Sequence, residues 1–564
     1  MLSNVSEKVL AKVLAIGSSF TTIFLVSDSV TDPVNVTKLV SLGVAAFVAL
    51  GIVIACGLRD AIKTSQAIWI LSGIFLSASA MSIFFSDSPI SQGIYGSYGR
   101  NNGFLAYVFL IMLLIATTNL TRLTSLNWIV IALLIAGIIN VVYSIWVIAF
   151  GDFIGWNNPY GNILGTLGNP NFVGSFLGIF LASYLAIGLG KNSPQWFKYS
   201  ILVVIPTTAF AIYDSSAIQG RVVGVAGIGI VIFFLVRSRF KPVFTWLYLL
   251  AAAVVGAFAT LGALQIGPLT SFIYKTSVSL RGQYWLAGWN TGETQPLTGV
   301  GMDGFGDWYR RARDIRAIEL PGTNTVVNAA HNVPLDMFAF GGWPLFISYL
   351  LIFGLGGLSL VKAIARSREY EPVLVAITVA WVGYQLQSII SINQIGLAIW
   401  GWVLTGTAVA YERITRLGFS EDAPSTKIKR RNNDVGQQSK VVLTGAGFGL
   451  LGLLIALPPL TADAKWRGAQ VKQSVEAIEG SMVSSYFNPP NSMKYMTNIQ
   501  ILEQSNLPDL AHRYALEAVA WNPESFELWK TLYLIRNSSA QEKVLALENM
   551  KRLDPLNPDV TSIK

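Results

Sequence analysis

Apolar runs of about twenty residues recur thirteen times along this chain, at roughly 9–27, 36–57, 67–85, 103–119, 126–150, 171–190, 199–214, 221–236, 242–264, 332–361, 371–390, 395–411 and 441–460. A run of that length crosses the hydrocarbon core of a bilayer as a single helix, so the repetition excludes an ordinary soluble fold. Composition agrees: 52% of residues are hydrophobic, only 13% are charged, and the mean hydropathy is +0.52. Sixteen Trp and twenty Tyr suit aromatic belts at the two interfaces. The lone cysteine, Cys56, lies in an apolar run and offers neither a disulfide nor a metal site. The expected fold is an all-α, polytopic helical membrane protein with about thirteen transmembrane helices. The run at 332–361 is long for one crossing, and Gly341-Gly342-Trp343-Pro344 predicts a break inside it.

Charge orients the spans. One set of alternate loops carries Lys8, Lys12, Arg59, Lys63, Arg122, Lys191, Lys198, Arg237, Arg239, Lys241, Lys362, Arg366, Arg368, Arg413, Arg416, Lys427, Lys429, Arg430, Arg431 and Lys440. The opposite short loops hold only Lys38, Arg100 and Arg221. Cytoplasmic loops are the ones enriched in Lys and Arg, so the N-terminus is expected in the cytoplasm and the C-terminus outside. The net charge of +9 is then topological, and nucleic acid is not an expected partner. Met1–Val26 lacks the small-residue pattern of a cleaved signal peptide.

Two segments escape the apolar pattern. The outer loop at 265–330 carries Lys275, Arg281, Arg310, Arg311, Arg313 and Arg316, and long loops translocate largely regardless of charge. Arg310, Arg311, Arg313 and Arg316 interleave with Asp307, Asp314 and Glu319, which predicts the solvated face of an amphipathic helix lying on the membrane. The second segment divides the chain into a membrane domain, 1–460, and a polar tail, 461–564. In the tail Asn-Pro recurs at 488–489, 522–523 and 557–558, the period of tetratricopeptide-like helical hairpins. Such a tail serves either as a packing cap or as a platform for a protein partner or acceptor.

His331 stands where the long loop meets the next span, and it is the only histidine outside the tail. Imidazole titrates near neutrality and suits proton transfer. Arg221 and Arg281 stay charged and present planar donor forks suited to phosphate oxygens. An arginine at the end of a span is costly unless it meets an anion or a wet cavity. A lipid-carried diphosphate would be such an anion, and arginines neutralising it would stabilise charge developing on the leaving group. No carboxylate-rich cage is evident, so the scheme requires no metal and no cofactor. Taken singly, each residue has a plainer role: His331 as interfacial packing, Arg221 as a snorkelling anchor, Asn169 as part of a helix-start turn.

Their order carries more weight. Asn169-Pro170-Asn171 precedes Ser215-Ser216-Ala217-Ile218-Gln219-Gly220-Arg221, which opens a span. Leu280-Arg281-Gly282-Gln283-Tyr284-Trp285, Pro296-Leu297-Thr298-Gly299-Val300-Gly301 and Ala330-His331-Asn332-Val333-Pro334-Leu335-Asp336 follow. This series resembles the O-antigen ligase and polymerase superfamily of bacterial polytopic glycosyltransferases over roughly 90–410, most strongly over 279–345. The resemblance implies transfer of a glycan from an undecaprenyl diphosphate carrier to a glycolipid, protein or glycan acceptor outside the membrane, without metal. By motif, Arg221 and Arg281 would contact the diphosphate and His331 would activate the acceptor. Asn332, Arg100 and Asn169 are secondary candidates for substrate binding. The extra span and tail depart from the usual core but occur in relatives that include protein O-oligosaccharyltransferases. Lipopolysaccharide ligation, polysaccharide polymerisation and protein glycosylation therefore all stay open. A glycolipid transporter is the rival from a different class, although transporter polar residues gather at the bilayer midplane rather than at one face.

Overall fold

The computed structural model describes residues 4–156, 158–418 and 431–563. Among them there is no strand, only an isolated bridge between Ser485 and Asn488. Helices stand at all thirteen expected places: α1 (Asn4–Ile23), α2 (Asn35–Thr64), α3 (Gln66–Phe84), α4 (Phe104–Thr118), α5 (Leu123–Phe150), α6 (Pro170–Gly188), α7 (Gln195–Asp214), α8 (Ile218–Arg239), α9 (Pro242–Ala263), α10 (Val333–Arg366), α11 (Pro372–Ile390), α12 (Ile395–Leu417) and α13 (Arg431–Lys472). Ten are long and apolar enough on their own to cross a membrane. The remaining three are α1, α4 and α12. Helix α4 is apolar but has fifteen residues. Helix α1 carries Glu7, Lys8 and Lys12, and α12 ends in Glu412, Arg413 and Arg416. A charge at a span end needs a partner. Glu7 accepts from the Thr121 and Arg122 amides at 2.8 and 2.9 Å. Arg413 donates to the Thr118 and Leu120 carbonyls at 2.7 and 2.6 Å.

Polar contacts at the helix ends show that the chain alternates in direction. The C-terminal ends of α2, α4 and α12 meet through Arg413, which also reaches the Thr64 carbonyl at 3.4 Å. The ends of α8 and α10 meet through Arg237, which donates to the Ile364 carbonyl at 2.8 Å. These ends define one face, which also carries most of the described residues of the basic loop set. Lys427, Lys429 and Arg430 lie outside the described residues. On the other face Lys38 is not a loop residue. It sits in the first turn of α2, fully buried, and its Nζ donates to the Thr21, Thr22 and Phe24 carbonyls at 3.2, 2.7 and 3.1 Å. A cation suits the negative end of α1, whose last carbonyls have no intrahelical partner.

Helix α10 breaks where Gly341-Gly342 predicted. Gly342 has φ +62°, and a Cβ there would lie 2.2 Å from the Pro296 carbonyl oxygen, so only glycine fits. The shorter helix Thr276–Thr294 lies along the first turns of α10. Its Gly288 gives the close approach, since a Cβ there would meet that of Ala330 at 2.7 Å.

The tail forms helical hairpins, Ser492–Gln504 with Pro508–Trp521 and Phe526–Leu534 with Ala540–Leu553, around an apolar core of their own. It docks on the face opposite the basic loops. Here the structure overturns the amphipathic reading of the arginine run. Arg310 and Arg313 are buried, and both pair with Asp554 of the tail, at 2.8 and 2.7 Å. Arg310 also meets Glu527 at 2.6 Å, and Arg311 pairs with Glu524. Only Arg316 remains solvated, with its side chain 79% exposed. Only Asp307, Arg310 and Arg311 of that run lie on a helix, Phe305–Ala312, which meets protein rather than water, and Arg313 and Arg316 follow its end.

Candidate functional site

His331 lies two residues before α10, on the face that carries the tail. Its backbone is left-handed, φ +56°, a strained state for a residue with a side chain. Asn101 and Asp303, which lie beside or within the contacts described below, share that conformation at φ +54° and +57°. The imidazole is half-buried and packs against Tyr284 of Thr276–Thr294, with ring centroids 5.1 Å apart. Its Nδ1 lies 3.1 Å from the Ala329 carbonyl oxygen. A carbonyl can only accept, so Nδ1 carries the proton and Nε2 presents its lone pair. Burial pulls the imidazole pKa down to about 4, helped by the positive charges of Arg281 and Arg100 against the opposing pull of the Ala329 hydrogen bond. At neutral pH the ring is therefore uncharged and able to take a proton.

Arg281 is carried on the same helix as Tyr284. Its Nε donates to the Ile390 carbonyl at 2.8 Å and its Nη1 to the Ser277 carbonyl at 3.0 Å. Neither partner is an anion, and Nη2 has no hydrogen-bond partner among the described residues. Gln219, from the Ser215–Arg221 segment, donates to the same Ile390 carbonyl at 3.2 Å. One carbonyl at the end of α11 thus ties together two of the segments singled out in the sequence. Arg221 itself turns outward. It is exposed, stacks on Tyr213 at 5.2 Å and reaches the Tyr213 carbonyl at 3.4 Å.

The secondary candidates divide. Arg100 is 5% exposed, pairs with Asp303 at 3.2 Å and donates to the Asn328 carbonyl, which fastens the α3–α4 connection to the stretch leading into His331. Asn332 caps α10, accepting from the Leu335 amide at 3.0 Å. Asn169 caps α6, accepting from the Asn171 amide at 2.9 Å, and its amide donates to the Tyr160 hydroxyl at 3.1 Å. Arg100 and Asn169 also line a cavity of about 820 Å³ in which His331, Arg221 and Arg281 take no part.

Three residues without an assigned role belong to this neighbourhood. Asp303 accepts from the Ser97 amide at 2.8 Å, and burial raises its carboxyl pKa while Arg100 opposes the rise. Asp336 is fully buried and accepts from the Ala330 amide at 2.7 Å, which fixes the backbone next to His331. Tyr284 supplies the ring against the imidazole. Tyr284 and Asp336 fall inside segments whose order stood out and Asp303 lies two residues past one, but nothing in the spacing distinguished them from turn or helix-start residues.

No curated protein matches the chain. Residues 201–350, which run from within α7 through the long loop and past His331 into α10, match the O-antigen ligase family. The matched span, about a quarter of the chain, contains Arg221, Arg281 and His331 together, and over it the chain is similar to that family.

Proposed function

We propose that this protein is a membrane glycosyltransferase that moves an oligo- or polysaccharide from a polyprenyl diphosphate carrier to an acceptor hydroxyl outside the plasma membrane. The observation that carries the reading is a neutral imidazole placed in the field of Arg281, an arginine whose partners are only carbonyls. Arg281 and the exposed Arg221 hold the carrier diphosphate, whose lipid lies between helices. His331 Nε2 takes the proton of the acceptor hydroxyl as that oxygen bonds to the anomeric carbon. The bond from that carbon to the phosphate oxygen breaks, and its electron pair leaves with the diphosphate under the arginines, so the anomeric configuration inverts. The enrichment of Lys and Arg in the loops of the opposite face supports a cytoplasmic position for that face and an outer position for this chemistry and the tail. The acceptor is a glycolipid, a protein or a growing glycan.

Reconstitution with a carrier-linked glycan tests the scheme. His331→Ala is expected to abolish formation of the new glycosidic bond while carrier binding survives. Unchanged transfer by that variant removes the base. Movement of glycolipid across the bilayer with no new bond hands the function to the transporter reading.

A further inference from the structure

The cavity of about 820 Å³ lies between the tail and the membrane domain and has no part in the chemistry above. Its walls come from the α1–α2 connection, Tyr98–Arg100, the segment before α6, the α11–α12 connection, the end of α13 and the helix Ser492–Gln504. Four aromatic rings line it, Tyr98, Trp156, Phe172 and Trp466. Tyr98 and Trp466 stand edge to face with centroids 5.1 Å apart, and Trp156 is tethered through Nε1 to Asp152 at 2.7 Å. Planar polar groups line it as well, among them Asp28, Asn35 and Asn169. Flat rings together with amides and carboxylates in one cavity match a ligand with apolar C–H faces and a rim of hydroxyls. The volume sits near the upper end of small-ligand pockets, about 300–1,000 Å³, which favours an oligomer over a single ring. An extended peptide is a poorer fit, because the described residues offer no strand edge for it to join.

Position gives the cavity its place in the reaction. Arg100 stands in its wall and its charge also acts on His331. Ile392 and Asn393, also in the wall, follow closely on Ile390, whose carbonyl holds Arg281. Arg100 thus links the cavity wall to His331, and the Ile390–Asn393 stretch links it to Arg281.

We propose that this cavity is a saccharide-binding site that holds the acceptor as a glycan chain, with its reacting hydroxyl directed past Arg100 towards His331. The word acceptor rests on the transfer reading; the saccharide site does not. The tail is then a wall of the site, through Trp466 at the end of α13 and Thr497 beyond it.

The test uses the full-length protein in nanodiscs and, as probe, size-fractionated oligosaccharides released by mild acid from the envelope of the producing cell. Saturable binding is expected by ligand-detected NMR. Trp156→Ala should weaken it about tenfold, the loss of one aromatic face, and Asp28→Asn should weaken it less. Arg281→Ala should leave saccharide binding unchanged while weakening binding of sugar-free undecaprenyl diphosphate. No saturable binding by any fraction overturns the proposal, as does binding indifferent to Trp156→Ala. Binding of a Ser/Thr-rich peptide that is lost in Trp156→Ala, with no saccharide bound, assigns the cavity to a protein acceptor and also overturns it. If saccharide binds as described but His331→Ala still transfers, the transfer reading fails and the site stands.

Discussion

The long loop at 265–330 holds two groups of arginines that look alike in the sequence and differ in the folded chain. Arg310, Arg311 and Arg313 each end on a carboxylate of the tail, while Arg281 ends on two backbone carbonyls. A guanidinium that meets a carboxylate in a buried place has its charge cancelled, and its worth lies in joining two elements. A guanidinium that meets only carbonyls keeps its full charge and has a donor to spare. Within one loop the partner separates cement from anion-binding group, and the number of arginines does not.

The largest effect expected from this contrast is on the cement. Asp554 is fully buried and serves Arg310 and Arg313 together, so Asp554→Ala strands Arg313 and leaves Arg310 with Glu527 alone. Breaking a buried pair from one side costs about 3–5 kcal/mol. Thermal melting of the full chain should drop accordingly, and limited proteolysis should release the tail. A melt equal to the parent's would show that the tail is held by its apolar contacts alone.

Arg281→Ala should behave in the opposite way. Gln219 still satisfies the Ile390 carbonyl, so the melt should hold. Transfer should fall about 10²–10³-fold in kcat, the usual loss when one preorganised donor to a developing anion is removed. Equal losses in melting and transfer for this variant would erase the distinction between the two groups.

The same contrast sets a pH dependence. Arg281 retains its charge beside His331, and burial together with that charge holds the imidazole at about 4. A base works in its neutral form, so activity should be full above that value and fall as pH drops through it. The free-enzyme limb, read in kcat/KM, should lie near 4. A bound diphosphate offsets the charge of Arg281, so the limb in kcat should lie higher. Coincident limbs at the ordinary histidine value would mean that neither burial nor Arg281 acts on the ring.

How far these features could be read from the chain depends on how local they are. The helices, the break at Gly341-Gly342 and the segment order around Arg281 and His331 depend on neighbours within a turn or two, and they were legible. The role of Arg100 was not, because its partner Asp303 lies some two hundred residues away and is itself one aspartate in a glycine-rich turn. Lys38 looked like a loop charge because its three acceptors belong to the end of a different helix. The arginine run failed for the same reason. A charged helix face has one periodicity whether it meets water or a complementary surface, and only the folded tail decides between them.

The smallest expected effect tests that last point most sharply. Arg316 belongs to the same run as Arg310, Arg311 and Arg313 and was indistinguishable from them by pattern. Its side chain is 79% exposed, and its one ion pair, with Asp314 at 3.5 Å, joins two residues of the same turn. Exposed pairs of this kind contribute about 0–1 kcal/mol, and surface substitutions usually stay within about 0.5 kcal/mol. Arg316→Ala should therefore leave melting, tail release and transfer unchanged, while Arg313→Ala lowers the melt and loosens the tail. A loss in Arg316→Ala as large as in Arg313→Ala would mean that the exposed arginine has a partner outside the chain, with anionic lipid headgroups as the nearest candidate. Repeating the melt in neutral and anionic nanodiscs would then tell a lipid contact from an error in sorting these arginines by burial.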